Sequence, residues 1–168
     1  NNSSLYNKWV NNKNAVEQVS PDKEIPNDKL KNIGMTSFGL SDTESQIVLA
    51  SYVKTSKEDD PVVQVAYGHG DNRKVYHVHV NDVDTLNASD LEIFALMSYE
   101  GYKGRTAPDS INNYSAYKTM KADAGYGMAS ADENNFVNEK ANADYLLEQI
   151  YDSLKKRETE QEAKSFDV

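Results

Sequence analysis

The most regular alternation of apolar and polar positions lies between Pro61 and Val80. With a turn at Asp71-Asn72, two residues that tolerate tight turns, Tyr67 faces Tyr76, Val65 faces Val78 and Val63 faces Val80. One face of that hairpin is then wholly apolar. The other carries Gln64 and Ala66 opposite His79 and His77. A one-residue slip would mix the two faces, so the pattern favours this register. A lone hairpin is marginal in water, so its apolar face must rest on helices or a further strand.

Elsewhere the period is helical. Leu5, Trp9, Val16 and Val19 fall near one stripe, which predicts an amphipathic helix over Leu5–Val19, with Ser3 or Ser4 as its N-cap and Pro21 ending it. Ser20–Leu40 holds Pro21, Pro26, Gly34 and Gly39 and reads as loop, tethered by Ile25, Leu30, Ile33, Met35 and Phe38. Ser41 and Glu44 have capping-box spacing, which favours a helix through Val53. A strand over Ile47–Val53 is the alternative, since four of those seven residues favour β structure. Ser89 and Glu92 repeat the spacing and open a helix to Gly101, with Leu91, Ile93, Phe94, Leu96 and Met97 as its apolar body.

Tyr102–Asp109 reads as a loop. Ser110–Ala124 reads as a helix, with Ile111, Tyr114, Tyr117 and Met120 at intervals of three, and Gly125 and Gly127 break it. Ser130 and Glu133 form a third capping box before the longest helical stretch, whose apolar positions are Phe136, Val137, Ala143, Leu147, Ile150 and Leu154. Residues 155–168 are polar all round, as in a solvated or fraying end. The segment Leu40–Tyr52 echoes Ala88–Tyr99 once a one-residue gap is allowed. The expected class is α+β: an antiparallel hairpin or small sheet packed against four to five helices. One domain spans 1–168, with residues 1–4 flexible.

Composition narrows the picture. The 168 residues fit one domain and contain no Cys, which excludes disulfides, thiolate metal sites and Cys nucleophiles. With 18 Lys+Arg against 27 Asp+Glu the net charge is −9, which argues against nucleic acid or an anionic membrane as a partner. No apolar run approaches the roughly 20 residues needed to span a bilayer. The chain begins Asn1-Asn2-Ser3-Ser4 rather than with Met, which reads as a polar linker left after removal of a signal segment. Arg is confined to Arg73, Arg105 and Arg157, while Lys, Asn and Tyr are abundant. This bias resembles exported proteins and lipoprotein ectodomains of low-GC Gram-positive bacteria. The resemblance is one of composition across the whole chain, without a motif. It implies an extracellular or membrane-anchored place at the cell surface; an acidic cytosolic protein is the alternative.

Candidate chemistry is sparse. His77 and His79 share a face if they lie on a strand, so both imidazoles could approach one ion. A third ligand would come from Gln64, His69, Asp71 or Asp82; the plainer reading leaves both rings on a solvent face. No Gly-x-Ser-x-Gly elbow, phosphate-binding loop, His-Glu-x-x-His or Gly-x-Gly-x-x-Gly occurs. Glu58-Asp59-Asp60 reads as a solvated connector. Asp82 and Asp84, with Asn81 and Asn87, lack the order of a calcium loop. Tyr is unusually frequent, 11 against 4 Phe. Tyr99, Tyr102, Tyr114, Tyr117 and Tyr126 could form a polar ligand surface, or could replace Phe at half-buried core edges.

These features predict a non-enzymatic exported or cell-surface domain, without a cofactor, that binds a protein or a cell-wall glycan. The alternatives are a metal-binding protein or metal-dependent enzyme using His77, His79 and Gln64, and an intracellular regulatory domain whose polar tail meets a partner helix.

Overall fold

The computed structural model describes residues 14–104, 110–125, 127 and 130–166. It is α+β: a five-stranded antiparallel sheet, a second small sheet, and helices. The large sheet has the order β1-β5-β4-β3-β2, built from β1 (Val16–Val19), β2 (Leu30–Gly39), β3 (Ser45–Val53), β4 (Val62–Tyr67) and β5 (Lys74–His79). The two-residue strands β6 (Ala88–Ser89) and β7 (Lys140–Ala141) pair as a clasp. The helices are α1 (Asp90–Tyr102), α2 (Ser110–Asp123), α3 (Glu133–Val137) and α4 (Asp144–Phe166). Helix α1 packs against β2, β3, β4 and α2.

Three expected elements differ. Val16–Val19, expected at the end of a helix, forms edge strand β1 and pairs Val16 with Val78 and Val19 with Val75. The remainder of that expected helix, with its Ser3 or Ser4 cap, lies outside the described residues. Leu30–Gly39, expected as loop, is β2. Its glycines are not chain breakers but points of close approach. A Cβ on Gly34 would lie 2.3 Å from Ser98 Oγ on α1, and one on Gly39 would lie 2.5 Å from the Ala131 carbonyl oxygen. Met35, expected to tether the segment inward, points outward and is exposed.

Ser45–Val53, favoured as helix, is strand β3, the alternative reading. The Ser41 hydroxyl does accept from the Glu44 amide at 3.2 Å, but the Leu40 and Ser41 amides donate to the Glu44 carbonyl and close a β2–β3 turn. The same local bond serves a helix start or a tight turn, and the period-two burial of Val48 and Ala50 decides it. The echo between Leu40–Tyr52 and Ala88–Tyr99 therefore joins a strand to a helix.

The β4–β5 hairpin has the expected faces and a register two residues off. Val63 pairs with Val78, Val65 with Tyr76 and Gln64 with His77. The turn closes earlier, through Gly68 and Gly70 at φ 84° and 55°, conformations that glycine adopts freely. A shift of two preserves parity, so Val63, Val65, Tyr67, Tyr76, Val78 and Val80 are all buried as expected.

Ser89 and Glu92 make both halves of their capping box. Ser130 does not open the next helix: Asp132 caps α3 by accepting from the Asn135 amide at 2.8 Å. The chain then pauses at β7 before α4, which runs on to Phe166; of the solvated or fraying end expected there, the exposed helix is the solvated form. The core joins the inner sheet face to the helices through rings. Phe38 meets Tyr67 edge-on at 5.0 Å and stacks on Phe136, and Phe94 contacts Tyr114 at 5.2 Å.

Ser98 Oγ is buried and has no hydrogen-bond partner among the described residues. Gly34→Ala should therefore cost about 1–3 kcal/mol in urea unfolding through overpacking. Ser98→Ala should be neutral or stabilising, because it removes an unpaired buried hydroxyl. In the Ser98→Ala background the Gly34→Ala cost should fall, since the nearest obstructing atom is gone.

Candidate functional site

The outer face of the sheet, away from the helices, is laid out in rows. Asn32, Ser51, Gln64, His77 and Glu17 pair successively across all five strands as a polar row. On one side of it runs an apolar row of Met35, Leu49, Ala66, Val75 and Val19. On the other side Val62 pairs with His79. Residues 20–29 lie against the β4–β5 part of this face. There the Ile25 amide donates to Gln64 Oε1 at 2.9 Å, and Glu24 pairs with Arg73.

His77 and His79 do share a face, but different partners engage them. His77 Nε2 lies 2.9 Å from Gln64 Oε1. That amide oxygen is an acceptor and already receives Ile25, so Nε2 must carry the proton and offers no lone pair to an ion. Burial pushes the His77 imidazole pKa down; Glu17 opposes this and His79 adds to it. His77 Nε2 and Gln64 Oε1 are thus engaged with each other, and the ring's lone pair lies at Nδ1.

His79 turns to the end of the sheet. Its Nδ1 lies 2.9 Å from Asp60 Oδ1. Asp60 closes the β3–β4 connection, where its amide donates to the Lys57 carbonyl. Asp82 stands in the short turn Val80–Asp82 directly after β5. That turn is held to the β3–β4 connection by Val80 N–H to the Pro61 carbonyl and by Asn81 Nδ2 to the Asp59 carbonyl. The donor atoms of Asp60, His79 and Asp82 all lie within 4.8 Å of one another, and all three residues are half-buried. Asp82 was a sequence candidate. Asp60, read as connector, was missed: only the true register, with Val62 opposite His79, brings it beside that ring.

The tyrosines do not gather as one exposed surface. Tyr114 and Tyr117 stack on each other at 5.7 Å and are buried, and Tyr99 is buried as well. Tyr102 is exposed and contacts Tyr52 at 5.3 Å. Tyr126 lies outside the described residues. Tyr114 and Tyr117 instead surround an ionic cluster. Asp90, 1% exposed at the first position of α1, accepts from Lys121 Nζ at 2.9 Å and from the Ser130 amide at 2.8 Å. The Ser130 hydroxyl meets Tyr114 Oη at 2.9 Å. Burial, then the Asp90 charge, pushes both phenol pKa values up. Burial of every member leaves a substrate no approach, and the cluster acts as a brace. A second, more open one joins Tyr67 and Lys74 to Glu133, at 2.6 and 2.7 Å.

An apolar patch stands free at the β2–β3 end of the outer face. Met35 and Leu49 are directly paired, Ile47 is two pairs nearer the turn on the same face, and Met35, Leu49 and Ile47 are 43%, 41% and 55% exposed. Among the described residues no helix is long and apolar enough to cross a membrane. No protein-family model matches the chain, no curated protein matches it in sequence, and no solved structure matches it.

Removing one partner of a buried ion pair strands the other, so Asp90→Ala should cost about 3–5 kcal/mol in denaturant unfolding. Asp90→Ala combined with Lys121→Met should cost less than the sum of the two single changes. For Glu133, the bond from Lys74 and then that from Tyr67 hold the carboxyl below its ordinary value of 4.5. Its contribution is therefore present above that value and lost as pH falls below it. Lys74 and Glu133 are both 41% exposed, so screening limits the pair to about 0.2–1 kcal/mol. A melting-temperature gap between wild type and Glu133→Gln of about 1–4 °C at neutral pH should close in acid.

Proposed function

We propose that this chain is a non-catalytic binding module of the cell surface, and that the β2–β3 end of the outer face docks a protein partner. The observation that carries the reading is the exposed trio Met35, Ile47 and Leu49 on paired strands. Side chains on a hydrogen-bonded hairpin are already ordered, so little conformational entropy is lost when they are covered. Contiguous exposed apolar residues on a rigid element are a common mark of an interaction surface.

The chemistry of the patch favours protein over glycan. Sugars are held mainly by flat aromatic rings, and these three side chains are aliphatic or thioether. Exposed Leu40, Asp42 and Glu44 border the patch at the β2–β3 turn. The matching partner surface is therefore apolar with a basic rim. The exported style of the composition supports the cell-surface location. The buried ionic groups support the non-catalytic reading, because Asp90 and Lys121 bond to each other across helices and Glu92 caps α1 and pairs with Lys140.

The test uses a Met35→Thr, Ile47→Thr, Leu49→Thr variant, which keeps strand propensity on an exposed face. Its melting temperature should stay within about 6 °C of wild type, as three surface changes near 0.5 kcal/mol each sum to about 1.5 kcal/mol. A photoreactive side chain at position 47 should crosslink a protein of the source cell's surface fraction. That protein, once purified, should bind the triple variant about 100-fold more weakly than wild type, the loss of a central apolar contact. Equal binding of both forms, retention on cell-wall glycan instead, or turnover of a peptide, glycan or ester overturns the reading.

A further inference from the structure

We propose that Asp60, His79 and Asp82 form a binding site for a divalent transition-metal ion of the zinc class. The inference is independent of the docking surface, because it uses different residues on the far side of the polar row.

Three observations carry it. First, the donor set is mixed, one imidazole and two carboxylates, and imidazole selects borderline first-row ions over calcium and magnesium. Calcium would need six to eight oxygen ligands, and two carboxylates fall well short of that. Second, the three donors come from two chain segments far apart in sequence that the fold brings together: the β3–β4 connection and the end of β5 with its following turn. The backbones are fixed to each other by Val80 N–H to the Pro61 carbonyl and Asn81 Nδ2 to the Asp59 carbonyl, so the donors are held together before any ion arrives. Third, His79 Nδ1 and Asp60 Oδ1 lie 2.9 Å apart and so already converge on one position, where an ion would displace the proton they share.

The donor atoms spread over as much as 4.8 Å. Tetrahedral zinc with bonds of about 2.0–2.2 Å needs donors roughly 3.3–3.5 Å apart. Closure thus requires the two half-buried carboxylates to turn inward by roughly 1 Å, which side-chain rotation supplies. The ion takes the Nδ1 lone pair, and any proton that Nδ1 carried passes to Nε2 or to solvent. Three protein ligands leave a fourth position for water or for a group on another molecule. Binding also ties the β3–β4 connection to the turn after β5, which stabilises the sheet end.

The experiment is a calorimetric titration of the intact chain with zinc chloride alone, in a non-chelating buffer at neutral pH. One equivalent should bind with a dissociation constant below about 10 μM. Cobalt(II) should give the visible absorption of a low-coordinate nitrogen–oxygen site. His79→Asn and Asp82→Asn should each weaken zinc binding at least tenfold, and His77→Asn should leave it unchanged. Metal-free melting curves check folding, and Asp82→Asn, in a turn, serves if His79→Asn fails to fold. Binding weaker than about 100 μM, binding unaffected by Asp82→Asn, or binding lost with His77→Asn overturns the site.

Discussion

The carboxylate of Asp90 is where the helical layer is joined. It occupies the first turn of α1, where the helix dipole and free amides favour a negative charge. One oxygen takes Lys121 from α2 and the other takes the amide of Ser130. A single side chain therefore fixes where α2 ends and how the chain enters α3. Ser130 has φ 60°, unusual for a residue with a Cβ. Its amide bond to Asp90 and hydroxyl bond to Tyr114 hold it there. A buried pair of this kind adds little net stability over an apolar substitute, but it tolerates few alternative arrangements. Its contribution here is orientation: α2 lies where Tyr114 covers Phe94 and Tyr117 stacks on Tyr114.

That orientation depends on a close helix–sheet approach. Gly34 admits Ser98, and Gly39 admits the Ala131 carbonyl. With α1 seated on β2 through Gly34, Phe38 reaches both Tyr67 of the sheet and Phe136 of α3. The inner face of the sheet is thereby closed by helices and rings. Among the described residues the outer face keeps only a partial cover, the segment 20–29 over β4 and β5. Function, if the sheet carries it, is left to the outer face and to the sheet ends.

How far the sequence revealed this follows from the range of each signal. The inner face of β4 and β5 was legible because alternation is local and survives a two-residue slip. The α1 cap was legible because Ser89 and Glu92 find each other three residues apart. Strand β3 was ambiguous because Ser41 and Glu44 make a local bond that a turn uses equally well. Strand β2 was hidden because Gly34 and Gly39 answer a distant helix and an Ala131 carbonyl, which no local pattern encodes. The Asp60–His79 contact was hidden by the slip itself: the expected register placed Gln64, not Val62, opposite His79. The tyrosines stayed ambiguous between a ligand surface and replacements for Phe at core edges, because a hydroxyl looks polar in sequence, yet Tyr114 spends its hydroxyl on Ser130 inside the core.

The row structure of the outer face then separates two kinds of chemistry. Rows along a strand are two residues apart, about 6.8 Å. The polar row of Asn32, Ser51, Gln64, His77 and Glu17 lies between the Met35–Leu49 pair and the Val62–His79 pair. Gln64, buried and bonded to both Ile25 and His77, makes that row a rigid divider rather than a flexible one. An ion at Asp60, His79 and Asp82 would act on the β3–β4 connection, whereas Ile47 and Leu49 sit toward the opposite end of β3. A two-state coupling between them would need an element with two arrangements, and a paired strand crossed by a fixed polar row offers one. The two surfaces should therefore behave additively: a change at one leaves the other's affinity as it was.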